Sequence, residues 1–190
     1  MKILCWNVDF KTDYRLNLEY ITSHSFDVLL LQEARHQLAE ELLNNGFNVQ
    51  SAPIGGSRAW GSLIATRSYS ITPIRLIGHE GWVSIGLINV QNHQIYVASI
   101  HAKLKDIGLY VVPHLQDIFT GLLAILPSNA HIIIGGDFNA ARLYDTVYPN
   151  NPPNAKHTKF FDWLENELNL ISVTYVKSNT EYQTVRLPLK

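Results

Sequence analysis

Apolar residues in this 190-residue chain fall into short runs that each end on a polar residue. Lys2 to Trp6 runs into Asn7, and Val28 to Leu31 runs into Gln32 and Glu33. Ile95 to Ile100 runs into His101, and His131 to Gly135 leads into Gly136-Asp137-Phe138-Asn139. Short continuous apolar runs bounded by turn formers predict buried strands. Between them the spacing becomes helical. Tyr14, Leu18 and Ile21 predict a first helix, and Leu38 to Leu43 predict a second, closed by Gly46 in a left-handed cap. Leu115, Ile118, Phe119, Leu122 and Leu126 define an amphipathic helix opening near Pro113, a residue suited to a first helical turn. Phe160, Phe161, Leu164 and Leu168 mark a last helix.

From Phe47 to Val90 the pattern differs. Ser62 to Thr66 and Val83 to Ile88 are punctuated by Gly55-Gly56, Gly61, Pro73, Gly78 and Gly81, which predicts antiparallel strands and hairpins. Asn92-His93 predicts a tight turn, and Pro149 to Pro153 a loop, because proline removes backbone donors and fixes φ. No internal repeat, low-complexity tract or linker interrupts the chain, so residues 1–190 are expected to form a single domain of mixed α and β. The expected architecture is an α/β (α+β type) two-layer β-sandwich, with mostly antiparallel sheets flanked by helices, rather than a doubly wound parallel sheet.

A hydrophobic content of 46% is enough to fill a core. Fifteen basic residues against 16 acidic ones leave no global electrostatic pull toward nucleic acid or an anionic membrane, so any polyanion must meet a local patch. The single Cys5 lies within a predicted strand, which suggests a core thiol in a reducing compartment. No apolar run approaches the ~18 residues of a membrane span, and the first strand begins near Lys2, so a cytoplasmic protein without membrane association is expected.

If the four apolar runs lie side by side, Asn7, Glu33, His101, Asp137 and Asn139 fall on one rim. Carboxylates and carboxamides at strand mouths need hydrogen bonds or a cation. Glu33, Asn7 and Asp137 offer hard oxygen ligands without thiolates or paired imidazoles, which favours Mg²⁺ or Mn²⁺ over zinc as the bound ion. Such an ion usually completes its shell with water and phosphate oxygens, which makes a phosphate ester the natural substrate class. His101 could donate to a phosphate oxygen, and Asn139 could bind developing charge or orient the attacking water. Trp60 and Trp82 suit either a base-stacking surface or the core. His24, His36, His79, His93, His114 and His131 show no ligand spacing, and Gly55-Gly56-Ser57 reads as a turn.

Trp6-Asn7, Leu31-Gln32-Glu33, Trp60 to Arg67, Ser99-Ile100-His101 and Gly135-Gly136-Asp137-Phe138-Asn139-Ala140, in this order and approximate spacing, resemble the endonuclease/exonuclease/phosphatase superfamily. The resemblance covers essentially the whole chain. It implies a two-sheet α/β sandwich with the site at one end. It makes Glu33 the principal metal ligand with Asn7 beside it, and has Asp137 and Asn139 position the nucleophile and the phosphate. His101 resembles the histidine of deoxyribonuclease-I-like members, which contacts the scissile phosphate. Arg35 sits where those nucleases place an arginine against nucleic acid, or else is an ordinary exposed charge. Lys103, Lys105, Arg142 and Lys156 could add a local basic surface.

The chain departs from that pattern near its carboxyl end. The Ser-Asp-His motif that supplies a general-base histidine is absent, and Thr180 to Arg186 resembles the segment just before the family's last strands. A domain without those strands would expose a sheet edge suited to a partner chain or a second copy. The expected function is a Mg²⁺- or Mn²⁺-dependent phosphodiesterase, chiefly an endonuclease or exonuclease using metal-activated in-line attack of water. The alternatives are a catalytically silent or partner-completed binding module, and a phosphatase or sphingomyelinase-type enzyme.

Overall fold

The computed structural model describes residues 1–51, 59–104 and 110–171. The Gly55-Gly56 turn, Lys105 and the Thr180–Arg186 segment lie outside them. The chain divides into two compact units, one of residues 1–103 and 117–138, the other of residues 104–116 and 139–190.

The first unit holds both sheets. One runs in the order β1 (Ile3–Asn7), β2 (Val28–Arg35), β4 (Trp60–Thr66), β3 (Asn48–Ser51), and the other β5 (Ile71–Ile74), β6 (Val83–Val90), β7 (His93–His101), β8 (His131–Asp137). Among the described residues, β1 with β2 and β7 with β8 pair in parallel and the other four strand pairs are antiparallel, so the sheets are mixed but mostly antiparallel. Pro73 is accommodated because β5 is an edge strand.

Strand β2 explains why its sequence reads as a continuous apolar run. Val28 and Leu30 pack with Ile64, Ile88 and Val97 between the sheets. Leu29 and Leu31 face the opposite way, joining Ile21, Leu38 and Leu42 beneath helices α1 (Tyr14–Ser23) and α2 (His36–Asn44). Both faces are therefore dry. Gly46 takes φ 81° just past α2, the left-handed cap expected there.

Helix α3 (Val111–Ile125) buries Leu115, Ile118, Phe119 and Leu122. No helix among the described residues is long and apolar enough to cross a membrane. In the second unit, one-turn helix α4 (Tyr144–Val147) precedes α5 (His157–Asn166), which has no local side-chain cap. Asp145 supplies that cap from outside, accepting from the amides of His157 (3.0 Å) and Thr158 (2.8 Å).

Three expectations need correction. The strand expected to stop at Leu31 continues to Arg35, through a bulge between Leu31 and Ala34. The β6–β7 turn is Gln91-Asn92 rather than Asn92-His93, because Val90 pairs with His93 and Gln91 takes φ 56°. Cys5 lies on β1, an edge strand among the described residues, and keeps solvent contact instead of joining the core. Desolvation by the protein around its sulfur still pushes the thiol pKa up to about 11.

Candidate active site

Each sheet delivers one pair of polar residues to the same rim. The β1–β2 register sets Asn7 opposite Gln32, with Glu33 the next residue. The β7–β8 register sets His101 opposite Asp137. Two glycines permit this. A Cβ on Gly136 would lie 1.9 Å from the Ile100 carbonyl oxygen, and one on Gly135 would lie 2.8 Å from Leu30 Cδ1 and 3.1 Å from Cys5 Sγ. A side chain at 136 would force β8 away from β7, while one at 135 would make Leu30 and Cys5 repack.

Glu33 reaches the rim through backbone strain. Gln32 and Glu33 together oppose Ser62 alone, and Glu33 takes φ 57°, a left-handed conformation a long side chain rarely adopts. Such strain costs about 1–3 kcal/mol and persists only where its surroundings enforce it. The enforcement is visible one residue back. Gln32, 1% exposed, donates to Ser99 Oγ (2.9 Å) and the Leu30 carbonyl (3.0 Å), and Ser99 Oγ in turn donates to the Leu31 carbonyl (2.9 Å). This dry polar brace ties the two sheets directly behind Glu33.

Asn7 organises the carboxylates. Its Nδ2 donates to Glu33 Oε1 (3.0 Å) and to Asp137 Oδ2 (2.8 Å), using both of its protons. Its Oδ1 accepts from the Asp9 amide (3.1 Å), which fixes the orientation of the carboxamide. Glu33 Oε2 accepts from the Phe10 amide (3.3 Å), and His101 Nε2 lies 3.7 Å from Glu33 Oε1. One ligand atom each from Glu33, His101 and Asp137 fall within 4.8 Å of one another. Glu33 and His101 are only 7% and 6% exposed, while Asp137 is half-buried. Two carboxylates this close repel one another unless a cation joins them. The oxygen-rich donor set fits a hard divalent ion.

Aromatic rings line one side of this centre. Phe10 stacks on Trp60 at 5.3 Å and 17°, and Trp60 meets Trp82 edge-on at 6.1 Å. Trp60 and Trp82 lie 5.2 and 5.4 Å from the His101 ring. Lys11 Nζ sits 5.8 Å from the Phe10 ring centre and Lys103 Nζ 5.9 Å from that of Trp82. Phe10 carries no strand or helix periodicity, which is why sequence patterning passes over it. Asp9, with φ 51°, gives only the weak signal of a turn former.

Asn7, Glu33, His101 and Asp137 are thus brought together. Asn139 follows two residues after Asp137 in a left-handed conformation (φ 50°) and belongs to the second unit. Arg35 ends β2, half-buried and opposite Trp60 in the ladder, outside the carboxylate cluster. Arg142 does not add an open basic charge, because Asp162 and Glu165 (2.8 Å) both engage its guanidinium. Lys156 donates to the Pro149 carbonyl (2.6 Å).

The family model of the Endonuclease/Exonuclease/phosphatase family matches residues 4–159. No curated protein sequence matches this chain. Among solved structures, the human Nocturnin catalytic domain with bound sulfate is similar over 93% of this chain and 73% of its own, at 19% identity and TM-score 0.69. D. rerio TDP2 complexed with a single-strand DNA product is similar over 80% of this chain and 65% of its own, at 17% identity and TM-score 0.57. ANGEL2, a 2′,3′-cyclic phosphatase, is similar over 75% of this chain but spans twice the matched length, with 50% of its own chain covered, at 18% identity and TM-score 0.57. At these identities the likeness is one of fold. The family match, however, runs from β1 into α5, and it brackets every strand that carries a rim residue. The chain belongs to the endonuclease/exonuclease/phosphatase family, whose members are metal-dependent nucleases, phosphodiesterases and phosphatases.

Proposed function

We propose that this chain is a Mg²⁺- or Mn²⁺-dependent phosphodiester hydrolase acting on nucleic acid. The reading rests on one observation, the convergence of Glu33, His101 and Asp137 ligand atoms within 4.8 Å around the Asn7 carboxamide. Glu33 and Asp137 would hold the ion, and Asn7 fixes their carboxylates through its Nδ2 hydrogen bonds. When bound, such an ion would supply positive charge to phosphate oxygens and acidify the attacking water. His101 donates an N–H to a non-bridging phosphate oxygen, a contact that strengthens as charge develops there and is worth about 10²- to 10³-fold in rate. The amides of Asp9 and Phe10 hold Asn7 and Glu33 still, so little reorganisation remains for the chemical step.

Nucleic acid is favoured over other phosphate esters by Lys11 and Lys103 beside the aromatic rings, by Arg35 at the end of β2 opposite Trp60, and by the fold likeness to TDP2 solved with single-strand DNA product. The test is hydrolysis of plasmid, single- and double-stranded DNA, RNA and 2′,3′-cyclic nucleotides with Mg²⁺, Mn²⁺ or EDTA, beside Glu33→Gln. Metal-dependent cleavage of the polymers that the variant loses is the expected result. Turnover of cyclic nucleotides alone would move the substrate to small phosphate esters, and cleavage that survives Glu33→Gln would remove Glu33 from the metal.

A further inference from the structure

The rings beside His101 carry an inference that deepens, and rests on, the phosphodiesterase reading. Phe10, Trp60 and Trp82 are each half-buried beside the carboxylate centre. Here they form a continuous wall, stacked between Phe10 and Trp60 and edge-on between Trp60 and Trp82, that ends against the His101 ring. An ammonium group stands at each end, Lys11 by Phe10 and Lys103 by Trp82. Nearly balanced overall charge makes these two local cations matter more.

We infer that this wall is a stacking platform for unpaired nucleobases, so that the site selects single-stranded nucleic acid, with Trp60 as its central specificity residue. A base in a duplex has both faces covered by its neighbours and cannot lie on such a wall without being unstacked. In a single strand it can, and any base will serve, because each has a π-face. The two ammonium groups beside the rings offer cations to a backbone whose bases lie on the wall. The chemistry is that of sequence-tolerant single-strand binding, with aromatic stacking for affinity and cations for the backbone.

The test separates binding from chemistry. In EDTA, the full chain is titrated with a fluorescent oligothymidylate of about ten nucleotides, an abasic oligomer of equal length, and a blunt duplex. Oligothymidylate is expected to bind roughly 5- to 150-fold tighter than the abasic oligomer, the range that stacking of one base supplies. Trp60→Leu should erase most of that ratio and Trp60→Phe restore it. If Trp60→Leu fails to fold, Lys11→Gln with Lys103→Gln should lower the slope of log affinity against log salt by about 1.4. Equal affinity for oligothymidylate and the abasic oligomer, preference for duplex, or binding to phosphatidylserine vesicles instead of oligonucleotides would overturn the platform. The underlying reading is checked separately by Mg²⁺-dependent hydrolysis of bis(p-nitrophenyl) phosphate by the wild type. Hydrolysis without a stacking ratio removes the platform alone. A Trp60-dependent ratio without hydrolysis upholds the platform and removes the enzyme.

Discussion

Ser99→Ala is the most informative single change to the framework of this protein, because one hydroxyl oxygen stands at the centre of the brace behind Glu33. Ser99 is 0% exposed and Gln32 1% exposed, so water cannot replace what is lost. The substitution deletes two hydrogen bonds, the acceptor for Gln32 Nε2 and the donor to the Leu31 carbonyl, each 2.9 Å long. A net hydrogen bond is worth about 0.5–1.5 kcal/mol, and a buried donor left without a partner costs about 1–3 kcal/mol. Gln32 keeps its bond to the Leu30 carbonyl, and its other proton is left with only the long contact to Cys5 Sγ (4.0 Å). The expected loss is about 2–3 kcal/mol. In urea, with a slope of about 2 kcal/mol per molar, the midpoint should fall by roughly 1 M at an unchanged slope. Adding Gln32→Leu should cost less than the sum of the two single changes, since the stranded amide goes with it. A loss under about 0.5 kcal/mol, or strict additivity, would refute the brace.

Further outcomes follow from the same structure. Gly136→Ala places a methyl against the Ile100 carbonyl, so β8 must shift; about 1–3 kcal/mol of stability should disappear in urea melts, together with most metal-dependent activity. Stability should also fall with acid in two windows. His157 is held below its ordinary value by burial, so its contribution is present above the unfolded value of 6.5 and is lost as pH drops through the lower folded value. Burial alone would raise the Asp145 carboxyl, but the amides of Thr158 and His157 outweigh it and hold it below 3.8; its contribution is therefore lost only at still lower pH. Thermal melts from pH 8 to pH 2 should show both declines, and Asp145→Asn should remove the second. Arg142→Met breaks the pairs with Asp162 and Glu165 at a partly exposed site, and should cost about 1 kcal/mol or less in the same melts.

How much of this was legible in the sequence depends on whether the cause was local. The rim residues were legible because each apolar run announces a strand and the next polar residue announces its end. The amphipathic α3 and the Gly46 cap were legible for the same reason, since periodicity and left-handed glycine are local signals. The bulge at Gln32-Glu33 was not. It arises because Ala34 and Arg35 pair with Gly61 and Trp60, a choice made by the partner strand rather than by the Gln-Glu dipeptide. The exposure of Cys5 depends on the place of β1 at a sheet edge, which no property of the residue reveals. The aromatic wall combines Phe10 from a loop with Trp60 and Trp82 from elsewhere in the first unit, so only the fold assembles it. Neutralisation of Arg142 likewise required knowing that α5 carries Asp162 and Glu165 to it.

The most direct test of the central claim is a Mn²⁺ titration of the purified chain, followed by binding calorimetry and by hydrolysis of bis(p-nitrophenyl) phosphate, with Glu33→Gln in parallel. The account predicts that ion binding and hydrolysis rise together in the wild type, and that Glu33→Gln weakens both while its far-ultraviolet circular dichroism is unchanged. Hydrolysis that ignores Mn²⁺, or Mn²⁺ binding of equal strength in a folded Glu33→Gln, would contradict it.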